Sequence, residues 1–138
     1  MAQHQDDLIG FDVPRDWDNR TVVAYAAPKR KDGTSPANIV VSRQRLDGSL
    51  QQLVDQRVRA LAAKTRGFML RGQRAMQLDG RDGLSVSYCT EDAEKRMVVM
   101  PISPDMAVIV TLSANTQDAP SMAPLFERIL SSVTLSTG

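Results

Sequence analysis

Several short segments of the chain are rich in apolar and β-branched residues, and in some of them hydrophobic and polar residues alternate as in a strand that turns one face toward a core. The segment 83–90 is the clearest case, because Leu84, Val86 and Tyr88 alternate with smaller, mostly polar residues. Short turns such as Asp79-Gly80 separate neighbouring segments, and turns this short require antiparallel pairing. The predicted strands are residues 8–13, 21–26, 37–43, 68–78, 83–90, 96–102 and 106–114.

Two other segments repeat their apolar residues at the spacing of a helix. The first helix is predicted from about Ser49 to Thr65, with Ser49 as the N-cap and Gln52 as its capping-box partner. The second opens near Asp118, with Pro120 in its first turn, where a missing N–H costs little. Its apolar face consists of Met122, Leu125, Phe126, Ile129, Leu130 and Val133.

This order of elements predicts an α+β fold, with two main helices packed on a twisted antiparallel sheet of about six or seven strands. A chain of 138 residues with 42% hydrophobic residues can bury one core. We therefore expect a single domain over residues 8–138, preceded by a disordered polar tail at residues 1–7. Residues 28–36, rich in proline and basic residues, are expected to form an exposed loop.

The candidates for chemistry are few. His4, the single histidine, falls in the predicted tail, and Cys89, the single cysteine, is expected to be a small buried residue. A nucleophile pair would require His4 to fold back onto the sheet, and one histidine and one cysteine are too few ligands for a zinc site. We therefore expect no catalytic residues, no metal and no cofactor. A net charge of +1 and 4% aromatic residues argue against binding to nucleic acid. No signal peptide or membrane-spanning segment is recognisable, which favours the cytoplasm and argues against membrane insertion.

Several predicted strands are apolar on both faces, notably residues 21–26, 97–100 and 108–112. Two helices can cover one face of the sheet but are not expected to cover both. The second face is then predicted to meet a partner or a second copy of the chain. The alternative is that helices and long loops of the same chain cover both faces.

Polar side chains are scattered among these apolar positions. Arg57 falls on the apolar stripe of the first helix, where it must reach a partner, reach the edge of the sheet or extend to solvent. Asn38 and Ser42 flank Val40 at alternate strand positions. Together with Ser85 and Ser87, these residues could supply hydrogen-bonding groups to an otherwise apolar groove.

Several segments, in their order and spacing, resemble the DcrB-like family, and within it the chain is most similar to the Eag chaperones of bacterial type VI secretion systems. The resemblance extends from about Ile9 to Leu135. The segments that carry it are Phe11–Asp18, Val22–Pro28, Ala37–Arg43, Gly67-Phe68, Leu78–Arg81 and Phe126–Ser132.

The resemblance implies a Mog1/PsbP-like fold and a cytoplasmic homodimer that shields the N-terminal transmembrane helices of a secreted Rhs- or PAAR-type effector before export. By position in the family pattern, the groove for this client would be lined by Ala24, Asn38, Val40, Ser42, Arg57, Val98 and Met100, to which Ser85 and Ser87 are added as hydrogen-bonding groups. Relatives often carry Gln or Arg in the strand where Val98-Val99-Met100 stands, so this chain is expected to offer fewer polar contacts there. A non-catalytic binding module for a soluble protein partner is the alternative function.

Overall fold

The computed structural model of the 138-residue chain describes residues 2–5, 9–14, 18–21, 24–28 and 36–135. The elements in chain order are β1 (Ala2–Gln5), β2 (Ile9–Val13), β3 (Asp18–Thr21), β4 (Ala24–Ala26), β5 (Asn38–Arg45), α1 (Leu50–Lys64), β6 (Met69–Leu78), β7 (Arg81–Cys89), β8 (Ala93–Ser103), β9 (Met106–Asn115), α2 (Ala119–Ser131) and β10 (Thr134–Leu135). Most of the predicted loop at 28–36, namely residues 29–35, lies outside the described residues.

Seven strands form one antiparallel sheet in the order β3-β4-β5-β9-β8-β7-β6, which confirms the predicted fold class. A second sheet has the order β1-β2-β10. Residues 2–5 therefore form a strand paired with β2, and the expectation of a disordered tail is wrong for them. Their polar sequence gave no strand signal, but strand pairing uses backbone groups that every residue other than proline carries.

Both helices begin and end close to the predicted positions. In α1 the Ser49 hydroxyl accepts from the Gln52 N–H at 3.1 Å, and the Gln52 side chain accepts from the Ser49 N–H at 2.9 Å. This is the capping box that the sequence predicts, and it satisfies two backbone donors that the helix itself cannot. In α2 the N-cap is Asp118 and a proline lies in the first turn.

The two helices lie on opposite faces of the large sheet. Leu53 and Val54 of α1 pack against Met97 and Val99 of β8. On the other face, α2 packs against the alternate residues of β8, Val98 and Met100. The core on the α2 side includes Ile9, Phe11, Val98, Met100, Val108, Val110, Leu112, Phe126, Ile129 and Leu130. Since successive strand residues point to opposite faces, β8 and β9 are apolar on both faces because each face meets a different helix.

This arrangement corrects the expectation that the helices cover one face only. The small sheet assists α2, since Ile9, Phe11 and Leu135 belong to the same buried cluster. The centre of the large sheet is thus covered on both sides by the chain itself. A surface for a partner must therefore lie toward one edge of the sheet.

The turn between β6 and β7 also ties the C-terminal strand to the sheet. Asp79 and Gly80 both have positive φ, 51° and 75°, as a tight two-residue hairpin turn requires. The Asp79 carboxylate accepts from the backbone N–H of Leu135 at 2.8 Å. The Asp-Gly pair that predicts the hairpin therefore also anchors β10.

Candidate functional site

Four of the predicted groove residues lie on the α1 side of the sheet, on its β4-β5 half. Asn38, Val40 and Ser42 alternate along β5 and so share one face, and Ala24 of β4 is the direct partner of Val40. Val40 is 43% exposed and Ser42 is exposed, whereas Ala24 and Asn38 are half-buried. We call these four residues the open strip.

The strip is open because α1 lies over the other half of the sheet. Leu53 and Val54 pack against Val86, Tyr88 and Met97, which belong to β7 and β8. On β9 the core under α1 reaches Ile109, the partner of Ser42, but Thr111, the partner of Val40, is only half-buried. The edge of this helix therefore forms one wall of a shallow channel whose floor is the open strip.

Arg57 stands in that wall and reaches the sheet rather than solvent. Its Nη1 donates to the Gln44 side chain of β5 at 2.8 Å. Its Nε–H is buried and meets no acceptor within the described residues. Burial of the phenol raises the pKa of Tyr88, and the nearby positive charge of Arg57 offsets only part of that rise.

The other four predicted groove residues lie on the opposite face, under α2. Val98 and Met100 are completely buried, at 0% exposure, within the core on that side. Ser85 is buried and accepts a hydrogen bond from Arg96 Nε at 2.9 Å, and Ser87 is half-buried. The nine residues therefore do not line one groove of the monomer, because the strand register places them on two sides of the sheet.

The channel continues into an open cavity, lined mainly by residues of polar type, that sequence reasoning missed. This cavity of about 980 Å³ is lined by Asn38, Lys95, Ser113 and Asn115, together with residues from the end of α1 and the β7–β8 turn. Asn38, Ser113 and Lys95 are direct neighbours across β5, β9 and β8. The alternation along β8 could have placed Lys95 on the face of Met97. Its alignment with Asn38, through Ser113 of the intervening strand β9, depends on a register that the sequence does not reveal.

Of the two single candidates for chemistry, Cys89 is the one whose side chain the structure describes. Cys89, expected to be buried, is half-buried and free. In the ranges that the structure describes, no group of three or more His, Cys, Asp or Glu could hold a metal ion. No helix among these residues combines the length and apolar character needed to cross a membrane. What the open strip offers is aliphatic contact with a few hydrogen-bonding groups at its border.

Comparisons with known proteins identify the family and the fold. The sequence profile of the DcrB family matches residues 10–132. The solved structure of cyanobacterial PsbP (CyanoP) from Synechocystis is similar with a TM-score of 0.74 and 15% identity, and the alignment covers 97% of this chain and 91% of that one. Among curated protein sequences, none matches this chain significantly.

Two further solved structures share the fold. PA94 of Pseudomonas aeruginosa, a protein of unknown function considered a regulator, has a TM-score of 0.72 and 17% identity, with coverage of 92% of this chain and 91% of that one. LpqN of Mycobacterium tuberculosis, involved in cell envelope biogenesis, has a TM-score of 0.67 and 18% identity, with coverage of 93% and 83%. The expected PsbP-like fold is confirmed, and at these identities the likeness concerns the fold alone.

Proposed function

The chain belongs to the DcrB family, and from this premise we propose that it is a non-catalytic chaperone or adaptor. Its client is the N-terminal transmembrane segment of a type VI secretion effector of the Rhs or PAAR type, which it shields in the cytoplasm before export. The observation that carries the proposal is the open strip, where Val40 is 43% exposed between Asn38 and Ser42. An aliphatic side chain bordered by amide and hydroxyl groups suits a membrane helix, whose neighbours contact it by packing and occasional hydrogen bonds.

The dimensions of the strip fit one helix. Neighbouring strands lie about 4.8 Å apart, so the channel over β4, β5 and β9 is roughly 10 Å wide, close to the diameter of a helix with its side chains. The strip from Asn38 to Ser42 is about 13 Å long, whereas a membrane-spanning helix is about 30 Å long. One copy thus covers less than half of the client, and a homodimer that joins two strips would cover most of it.

Coverage of the central strands favours a second candidate, a binding module for a soluble protein partner. The large exposed hydrophobic residues of the described chain are Val40, Met69 and Leu70, and they do not form one patch, since Val40 is on β5 and the others are on β6. A surface with so little apolar area also suits a partner that is itself folded. The two candidates differ in whether the apolar helix is what is bound.

Co-expression with the N-terminal segment of a PAAR- or Rhs-type effector tests the proposal. The wild-type chain should keep that segment in the supernatant, and Val40→Asp should leave it in the pellet, since a charge would then face the helix. Leu70→Asp is the matched control, because Leu70 is similarly exposed, at 47%, on the same face at the opposite edge of the sheet. Equal solubility of the segment with and without the chain would refute the chaperone function.

Truncation of the client distinguishes the chaperone proposal from the second candidate. If the chain instead binds a folded part of the effector, removing the apolar helices from the client should leave the complex intact. Under the chaperone proposal, the same truncation should abolish the complex, and the isolated helical segment should still bind.

A further inference from the structure

The edge strand β6 lies at the opposite end of the large sheet from the open strip. Within the described chain it pairs with β7 alone, so the outer backbone N–H and C=O groups along its length have no strand partner. Its ten residues run from Met69 to Leu78, and nearly all are exposed. An edge of this length and exposure is a template for adding an extended peptide as a further strand.

Arginines gather beside this edge on the α2 side of the sheet. A furrow of about 470 Å³ is lined by Arg71 and Arg74 of β6, Arg96 of β8 and Glu127 of α2, with Gly72, Gln73, Ser85 and Ser87 completing its walls. We call it the arginine furrow. Gly72 adds no side chain there, and a Cβ at that position would meet nothing within 4 Å. The furrow is therefore open directly beside the backbone of the edge strand.

One arginine of the furrow is held in place from two sides. The side chain of Arg96 is only 15% exposed. Its Nε donates to the buried Ser85 hydroxyl at 2.9 Å, and its Nη1 donates to the Glu127 carboxylate. A guanidinium fixed in this way is oriented to receive a carboxylate.

The arginines of the furrow already form ion pairs with glutamates of the same chain. Glu127, on the exposed side of α2, is shared between Arg96 and Arg74, whose Nη2 lies 4.0 Å from it. Arg71 pairs with Glu94 at 3.2 Å. Three arginines thus face two glutamates, and an added carboxylate would meet an excess of positive charge.

We propose that β6 and the arginine furrow bind an extended acidic segment of a partner protein. The segment adds to the sheet as a strand beside β6 and directs alternate carboxylate side chains into the furrow. Backbone hydrogen bonds to β6 provide the strand pairing, and Arg71 and Arg74 provide the preference for acidic residues. This surface is on the other face of the sheet from the open strip, so the proposal does not depend on the chaperone function.

The same charges argue against two other occupants. A second copy of the chain pairing through β6 would bring the arginines of the two copies together, and like charges across a strand pair are destabilising. A basic segment would meet the same repulsion as a second copy.

Fluorescence anisotropy with three labelled peptides tests the proposal on the full chain. The first alternates Glu and Thr over eight residues, the second alternates Lys and Thr, and the third is the acidic peptide with every backbone amide N-methylated. The acidic peptide should bind, with an affinity that falls as salt rises, and the other two should not. Equal binding of the acidic and basic peptides, or undiminished binding of the methylated one, would overturn the proposal.

Variants then locate the site. The double substitution R71Q/R74Q should weaken binding of the acidic peptide about tenfold, as expected for the loss of two partly exposed ion pairs. R59Q/R128Q is the control, since it removes the same charge from two exposed positions on the helices. Equal weakening by both double variants would mean that only net charge matters and would refute the assignment.

Two measurements complete the test. Glu127→Gln should tighten binding of the acidic peptide several-fold, because it removes the carboxylate that competes for Arg96. A loss of binding would mean that Glu127 is part of the site rather than a competitor, and would overturn this account of the furrow. Hydrogen exchange should show that the outward-facing amides of β6 become protected only when the peptide is added. Protection of those amides beforehand, in a dimer of the chain, would assign the edge to a second copy and overturn the proposal.

Discussion

Ile39 and Val40 are consecutive residues of β5, and the structure predicts opposite consequences for truncating them. Ile39 is 0% exposed and packs in the core on the α2 side, whereas Val40 is 43% exposed on the open strip. Replacing each with alanine removes a β-branched side chain from the same strand. The loss of strand propensity is therefore common to both variants, and their difference reports burial.

The magnitudes follow from the two environments. Ile39→Ala deletes fully buried carbon atoms and leaves a cavity, which costs about 4 kcal/mol in the free energy of unfolding. Val40→Ala removes a side chain that is already partly in water, which costs about 1 kcal/mol. The expected gap of about 3 kcal/mol is a large part of the stability of an ordinary domain, which is roughly 5–15 kcal/mol.

Urea unfolding followed by far-UV circular dichroism measures both costs in one assay. Comparable slopes against urea would show that neither variant alters the unfolding mechanism, so the midpoints can be compared directly. Equal destabilisation of the two variants, or a larger effect at Val40, would refute the assignment of the open strip to an uncovered face. Retained binding of the effector segment by Val40→Ala at full affinity would separately weaken its role as the floor of the client channel.

Three other predictions concern stability. Gly83→Ala should cost about 2 kcal/mol in the free energy of unfolding in urea, because the new Cβ would collide with the Met100 side chain and lie 2.6 Å from the backbone carbonyl oxygen of Val99. Gly72→Ala, with open space around the new Cβ, should be nearly neutral. Burial raises the pKa of Tyr88 above its usual value of 10, so the fold favours the neutral phenol. The stability that this provides is complete below about pH 10 and is lost as the pH rises through the higher folded-state pKa. Tyr88→Phe should remove that part of the alkaline loss of stability, as measured by urea midpoints across pH. Ser49→Ala should cost about 1 kcal/mol in the free energy of unfolding by removing the N-cap of α1, and Ser49→Gly only a few tenths. An unchanged urea midpoint for Ser49→Ala would argue against the capping hydrogen bond.

The elements of the fold could be predicted from local patterns because local interactions determine them. The capping residues Ser49 and Gln52 mark the start of α1, and Asp79-Gly80 marks the β6–β7 turn, each through a short-range geometry that the structure reproduces. Strand β1 and strand β10 could not be predicted in this way. Strand β1 pairs locally with β2, but its polar residues carry no apolar alternation. Strand β10 has only two residues and pairs with β2 across most of the length of the chain.

The candidate site was predictable only in part. Asn38, Val40 and Ser42 share a face because of the two-residue period of a strand, which the sequence displays directly. Whether Val98 joins them depends on how β8 and β9 align with β5, and the register puts Val98 beneath α2 instead. A one-residue difference in register reverses the face of every side chain in a strand, and this information resides in long-range packing rather than in any local segment.

The small sheet joins the beginning and the end of the chain. Backbone N–H of Asp12 donates to the Ser132 hydroxyl at 2.6 Å, across 120 positions of sequence, and β2 pairs with β10. During synthesis that side of the core can therefore close only after Ser132 and β10 have been made. Until then the apolar residues on the α2 side of the large sheet lack part of their cover, and exposed apolar surface of this kind favours misassembly.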